Sequence, residues 1–245
     1  MQKRQLQFIL CVSPLVLKNN FRFIVMKNLN VLFLIIPFLC LQCKKENEKI
    51  NLPNEESAIY EVTFNIDWNA EEFPINYPSN AHFSKLIGWS HSPNSSFFAL
   101  ESMASEGIQK MAELGATSPL SDEINQKIND GEGHELIIGE SLGSGVGKIT
   151  LDVNVLKKHP SITLATMIAP SPDWYLAVVN INLLENEAFV NEKIVNALLY
   201  DAGTDSGADY TSSNAITIPQ ESISQLSYAP LSNGKVLSTV TFRKK

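Results

Sequence analysis

The chain has 245 residues, 19 Lys and Arg against 26 Asp and Glu for a net charge of −7, and is 44% hydrophobic and 18% charged. This composition suits a globular protein with a sizeable buried core, while the acid excess and the lack of a basic stripe argue against a nucleic-acid binder. Its three cysteines, Cys11, Cys40 and Cys43, all lie near the N-terminus, which excludes a disulfide-stapled small fold.

The head of the chain differs from the rest. Residues 1–42 hold Lys3, Arg4, Lys18, Arg22 and Lys27 and no acid, so the acid excess of the remainder exceeds that of the whole. Met26-Lys27-Asn28 opens a basic stretch, and Val31 to Leu41 is an apolar run broken only by Pro37. It is far shorter than the roughly 20 residues a spanning helix needs and fits the core of a secretory signal. It ends in Cys40-Leu41-Gln42-Cys43, followed at once by the charged Lys44-Lys45-Glu46. The arrangement resembles a bacterial lipoprotein signal, in which the thiol of Cys43 takes the acyl chains. It departs from that pattern at Gln42, where a small residue is usual, and an ordinary cleaved signal is the alternative. The expectation is an exported protein, lipid-anchored to the bacterial outer membrane and facing the periplasm or the surface. Residues 1–25 read as an extension upstream of a start at Met26. Residues 1–43 are thus extension plus signal, 44–57 a polar tether, and 58–245 the folded domain.

Tyr60, Val62, Phe64, Ile66 and Trp68 alternate with polar residues, as in a half-buried strand. Pro74 and Pro78 mark a loop, and His82 to His91 leads into a short strand. Leu100, Met103, Ala104, Gly107, Ile108, Met111 and Ala112 predict a helix over 100–114, with Gly115 as its stop. Ser118-Pro119 reads as the N-cap and first-turn proline of a second helix, carried by Leu120, Ile124 and Ile128 and ended by Gly131. Leu136 to Ile138, Ile149 to Val155, Ile162 to Ile168, Trp174 to Ile181 and Val236 to Phe242 read as strands. The pattern predicts a mainly β protein: an antiparallel β-sandwich with an inserted helical pair. Trp68 and Trp174 are expected in the core, whereas Trp89 is the better candidate for an exposed sugar-stacking platform.

Gly139 to Gly147 is glycine-rich, but it lacks the Lys-Ser/Thr of a nucleotide loop and leads into a strand, so it reads as a hairpin connection. His82, His91, His134 and His159 show no metal-ligand spacing, and no serine-hydrolase elbow is present. The acidic residues are more informative. Pro170-Ser171-Pro172-Asp173 projects a carboxylate from a stiff corner. Asp201 and Asp205 share a tight glycine-bearing loop, and Asp152 and Asn154 share the polar face of a strand. Such clustered oxygens at a sandwich end suit a hard cation such as Ca²⁺, which takes six to eight oxygens. Equally, Asp201 and Asp205 can simply bond their own turn backbones.

The stretches HFSKLIGWSH, ASEGIQKMAELG, IAPSPDWYLAV, DAGTDSGADY and ITIPQESISQLS occur in this order from about Tyr60 to Phe242. Together they resemble the spondin domain of animal extracellular-matrix proteins. The resemblance implies an antiparallel β-sandwich like that of calcium-dependent membrane-binding domains, with a calcium ion near one end. Carried over by motif, its ligands fall on Asp173 and Asp201. The third, a glutamate in the family, falls on Asn154, with Asp152 or Asp205 available to restore the missing charge. The resemblance also implies a calcium-binding adhesion or recognition module for an extracellular protein or glycan; the signal before Cys43 adds surface anchoring, and the lack of a recognisable nucleophile–base pair argues against an enzyme. The alternatives are a calcium-assisted hydrolase and a purely structural envelope lipoprotein.

Overall fold

The alternation that opens the body produces the strand on which the smaller of two main sheets is built. The structure is a computed structural model and describes residues 56–231 and 233–245. The expectations on residues 1–43, including Cys43, and on most of the tether lie outside the described residues. Strand β1 (Ser57–Asp67) begins within the stretch read as the end of the tether. It buries Tyr60, Val62, Phe64 and Ile66 completely or nearly so. Next come β2 (His82–Phe83), β3 (Ile87–His91), α1 (Glu106–Leu114), α2 (Leu120–Asn129), β4 (Gly133–Ile138), β5 (Val146–Leu156), β6 (Ser161–Ala169) and β7 (Trp174–Asn182). A two-stranded ribbon, β8 (Leu184–Glu185) and β9 (Ala188–Phe189), follows. Then come β10 (Glu192–Asn196), β11 (Leu198–Asp201), β12 (Ser224–Gln225) and β13 (Ser238–Lys244).

Two antiparallel sheets face each other. The smaller runs β10-β13-β1-β5; the larger runs β12-β11-β7-β6-β3-β4, with β2 also paired to β6. The sandwich core lies between them. Tyr60, Phe64, Val153, Val240 and Phe242 of the small sheet meet Ile162, Leu164, Ile168, Leu176 and Val178 of the large one. Burying side chains of this kind stabilises by about 1.5–3 kcal/mol each before the entropy of ordering is counted.

The other face of the large sheet is covered by the helices. Ile108, Met111, Ala112, Leu120 and Ile124 join Ile87, Trp89, Ala165, Tyr175 and Ala177 in a second core. Covered on both faces, β6 is buried at every position, which explains its nearly continuous apolar sequence, interrupted only by the small Ser161, Thr163 and Thr166. The same cover buries Trp89 completely, so it is not an exposed stacking platform. Trp68 and Trp174 are fully buried, as expected.

The helical pair is shorter than its pattern. The helix predicted over 100–114 begins only at Glu106, because the segment before it joins another strand-like stretch. Glu101 donates its N–H to Ile223 O, and Met103 bridges to Ser222. Ser105 caps the helix by accepting from the Ile108 N–H, and Gly115, at φ 65°, ends it. Ser118 does not cap α2; Pro119 stands at that position without a side-chain cap. A Cβ on Gly107 would stand 2.6 Å from the Leu120 Cα, so this close helix approach requires glycine. The Glu123 carboxylate of α2 accepts from the Gly107 N–H and the Ser105 hydroxyl, tying the helices together at their first turns.

The glycine-rich 139–145 segment is not a hairpin turn. It carries the chain from β4 in the large sheet to β5 in the small one. Leu142 is bridged to Phe83, and the Gly145 carbonyl accepts from Trp68 N–H.

Candidate metal centre

Strands β6, β7 and β11 bring two motifs to one end of the sandwich. The chain leaves β6 at Ala169 and turns through Pro170 and Pro172. The Ser171 hydroxyl braces the corner by donating to Ile168 O and accepting from the Trp174 N–H. Asp173 therefore stands immediately before β7. Asp201 ends β11 and is in register with Trp174, so the two aspartates lie side by side across the sheet although they are far apart in sequence.

The loop after Asp201 wraps the Asp173 carboxylate. Asp173 Oδ2 accepts from Thr204 N–H at 2.7 Å, from Thr204 O–H at 3.2 Å and from Asp205 N–H at 3.1 Å. Gly203 makes this wrapping possible. Its φ is 72°, and a Cβ would stand 2.4 Å from Glu221 O. Successive N–H groups in such a turn converge on one anion.

The other oxygen, Asp173 Oδ1, is buried and has no hydrogen-bond partner. The residue is fully shielded from solvent. Burial, and then the charge of Asp201, push its carboxyl up to about 6 against the pull of the three donors. A cation would give the orphaned oxygen a partner and remove the repulsion between the two carboxylates, so this donor set fits a hard metal ion.

Asp201 is partly exposed. Its Oδ1 accepts from Gly203 N–H at 2.8 Å, and its Oδ2 accepts from the Tyr228 hydroxyl. Burial, the hydrogen bond to Asp201 and the charges of Asp201 and Asp173 push the Tyr228 phenol far above its usual range. Tyr228 and Thr204 were not among the sequence candidates. Tyr228 is one of six tyrosines and sits in a loop without periodicity, so no local signal marks it.

The remaining candidates do not converge on this pair. Asp205 spends both oxygens on its own loop, accepting from Gly207 N–H at 2.8 Å and Ala215 N–H at 3.1 Å, which is the turn-bonding alternative. Asn154 and Asp152 lie toward the other end of the sandwich, because β5 reaches the carboxylate end with Val146. Val146 pairs with Asp67, and the next residue, Trp68, packs through Tyr210 against Trp174, in tilted and edge-on ring contacts at 5.4 and 5.7 Å. Eight residues of strand at about 3.3 Å each then separate Val146 from Asn154, roughly 26 Å. There, Asn154 contacts His134 at 3.2 Å and gives its N–H to Glu135, while Asp152 pairs with Lys245. Among the described residues no three His, Cys, Asp or Glu side chains converge to hold a metal. A cation at Asp173 and Asp201 would complete its shell with neutral oxygens.

The Spondin_N family model matches residues 58–235, which include both motifs. Human Spondin-2 is 31% identical over 176 residues, covering 69% of this chain and 52% of that protein. Rat Spondin-2 is 30% identical over 175 residues with the same coverage. Human Spondin-1 is 34% identical over 180 residues, covering 69% of this chain and 22% of that protein. The chain thus spans about half the length of Spondin-2 and about a fifth of Spondin-1. No helix among the described residues is long and apolar enough to cross a membrane.

Proposed function

The chain belongs to the Spondin_N family, and on that premise we propose that it is an exported, surface-anchored recognition module whose Asp173–Asp201 end binds calcium. The domain presents that end to an extracellular protein or glycan and performs no catalysis. The anchor is a lipid on Cys43, supported by the basic and apolar stretch before it and the charged residues after it. Glu56, the first described residue, lies at the end opposite to the carboxylates, beside Lys157.

The observation that carries the calcium reading is Asp173 Oδ1, a fully buried carboxylate oxygen without a partner beside a second carboxylate. When bound, calcium supplies positive charge to that oxygen and a link to anionic or hydroxyl-bearing partners. The Thr204 and Asp205 donors hold Asp173 in one orientation, and Gly203 N–H does the same for Asp201, so the two carboxylates are positioned before any ion arrives.

Thermal unfolding of the full chain in detergent, with chelator or with calcium, tests this reading. Free calcium at 100 times its dissociation constant stabilises by about 2.7 kcal/mol, which raises Tm by roughly 5–10 °C in a domain of this size. Asp173→Ala and Asp201→Ala abolish the rise. Identical melting curves with chelator and with millimolar calcium reject the site.

A further inference from the structure

With Asp173 Oδ2 saturated by the Thr204 and Asp205 donors and Asp201 Oδ1 tied to the Gly203 N–H of its own turn, the carboxylate oxygens not bound by backbone are Asp173 Oδ1 and Asp201 Oδ2. The second is not vacant. The Tyr228 hydroxyl donates to it, and both carboxylate charges act on this phenol. Among the described side chains, this O–H is the one that donates to either of the two remaining oxygens.

We propose that Tyr228 closes the metal-free site: its phenol occupies the Asp201 oxygen that calcium takes, and the ion displaces it. The inference rests on the calcium reading and adds to it a residue that sets the affinity. A cation between the two carboxylates would face the positive hydrogen end of the phenol dipole, so ion and O–H compete for the same oxygen.

The setting of Tyr228 allows it to move. The residue is 44% exposed, and the aromatic ring it meets is that of Trp174, at a centroid distance of 6.3 Å and a steep interplanar angle. Residues 227–229 are exposed between the buried Leu226 and Pro230. Leu226 is fixed to β11 by its N–H on Leu199 O. The side chain can therefore swing outward while both ends of the short bridge stay in place. Asp201, by contrast, is held by the backbone of its own turn and does not follow.

The test is calcium titration of the full chain in detergent, wild type against Tyr228→Phe, using calcium chloride as the probe. The variant keeps the ring against Trp174 and removes the competing hydroxyl. A charge-assisted hydrogen bond that need not be broken lowers the dissociation constant about tenfold. In ¹³C-tyrosine-labelled wild type, the ring resonance absent from Tyr228→Phe shifts on calcium addition as the ring leaves the Trp174 edge. Unchanged or weaker affinity in Tyr228→Phe overturns the displacement and leaves the calcium site standing. If that variant misfolds, Tyr228→Leu identifies the resonance instead, and a Tyr228 resonance in the wild type that ignores saturating calcium overturns the displacement equally. Absence of any calcium response in the wild type overturns both the site and this inference.

Discussion

Each end of the sandwich buries a titratable side chain completely, and the two are treated differently. At one end His91 is satisfied on both ring nitrogens. Nδ1–H donates to Ser92 O, and Nε2 accepts from the Thr163 hydroxyl at 2.8 Å. Thr163 in turn accepts from the Asn180 N–H, and the imidazole stacks on Trp89 at 4.8 Å. At the other end Asp173 has three donors on one oxygen and none on the other. Burial drives both groups toward their neutral forms, lowering His91 to about 4 and raising Asp173 to about 6. A fully satisfied buried group fixes structure, whereas a half-satisfied one keeps free energy available to a ligand. The histidine end therefore reads as scaffold and the carboxylate end as site.

The largest test of this contrast opens the aromatic wall of the core to which Trp174, the residue after Asp173, belongs. Trp68 is fully buried between Tyr77, Phe83 and Tyr210, and Tyr210 packs on Trp174 beside the site. Trp68→Ala costs about 3–5 kcal/mol in urea unfolding. It also lets water reach Asp173, so the Asp173 carboxyl pKa, followed by NMR, falls back toward the ordinary carboxylate value. A carboxyl still near 6 in the variant would show that burial by this wall is not the cause of the shift.

Acid–base titration separates the ends by sign. His91 has a folded pKa below its unfolded value, so its contribution is present above about pH 6.5 and is lost as pH falls toward 4. The lowering combines burial with the charge of His159, opposed by the bond to Ser92. Asp173 has a folded pKa above its unfolded value, so its contribution is present below about 3.8 and is lost as pH rises toward 6. Each shift of roughly two units corresponds to about 3 kcal/mol. In metal-free protein the two trends oppose each other between pH 4 and 6.5. Asp173→Asn keeps an acceptor for the three donors and removes the falling trend, so stability rises by about 3 kcal/mol across that window. Saturating calcium has the same effect on the wild type. Urea unfolding at half-unit pH steps measures it, and a flat profile for Asp173→Asn would contradict the assignment.

Much of this was legible in the sequence, and for identifiable reasons. The alternation of Tyr60 to Ile66 and the nearly continuous apolar run of β6 each specify burial locally, and a two-sheet sandwich with helices on one sheet satisfies both. PSPDW and DAGTDSG point to the carboxylate pair because a proline corner and a glycine turn constrain backbone directly. What a local pattern cannot carry is long-range pairing. The start of α1 was misplaced because residues 101–103 pair with 222–223, more than a hundred positions away. Trp89 was misread because the helices that cover it follow it in sequence and pack on it only in the folded state. Tyr228 was invisible because its hydroxyl matters only through a contact with Asp201 across 27 positions.

The smallest expected effect bears on the same division. Matching the family's third ligand by counting along the chain put Asn154 at the calcium site, with Asp152 as compensation, but strand register places both at the histidine end. Asp152 holds the exposed Lys245 ammonium, and Asn154 meets His134 and Glu135, so neither has an oxygen directed to Asp173. Asn154→Asp should then leave the calcium-induced rise in Tm unchanged, although it adds a carboxylate of the kind a calcium ion prefers. Asp152→Asn should leave it unchanged too, and since the pair it breaks is a solvent-exposed one, the metal-free Tm should scarcely move. A calcium affinity raised by Asn154→Asp would mean that β5 reaches the site in solution, and the contrast between the two ends would fail. An unchanged response in both, beside the loss in Asp173→Ala and Asp201→Ala, would confine calcium to the end where a buried carboxylate oxygen lacks a partner.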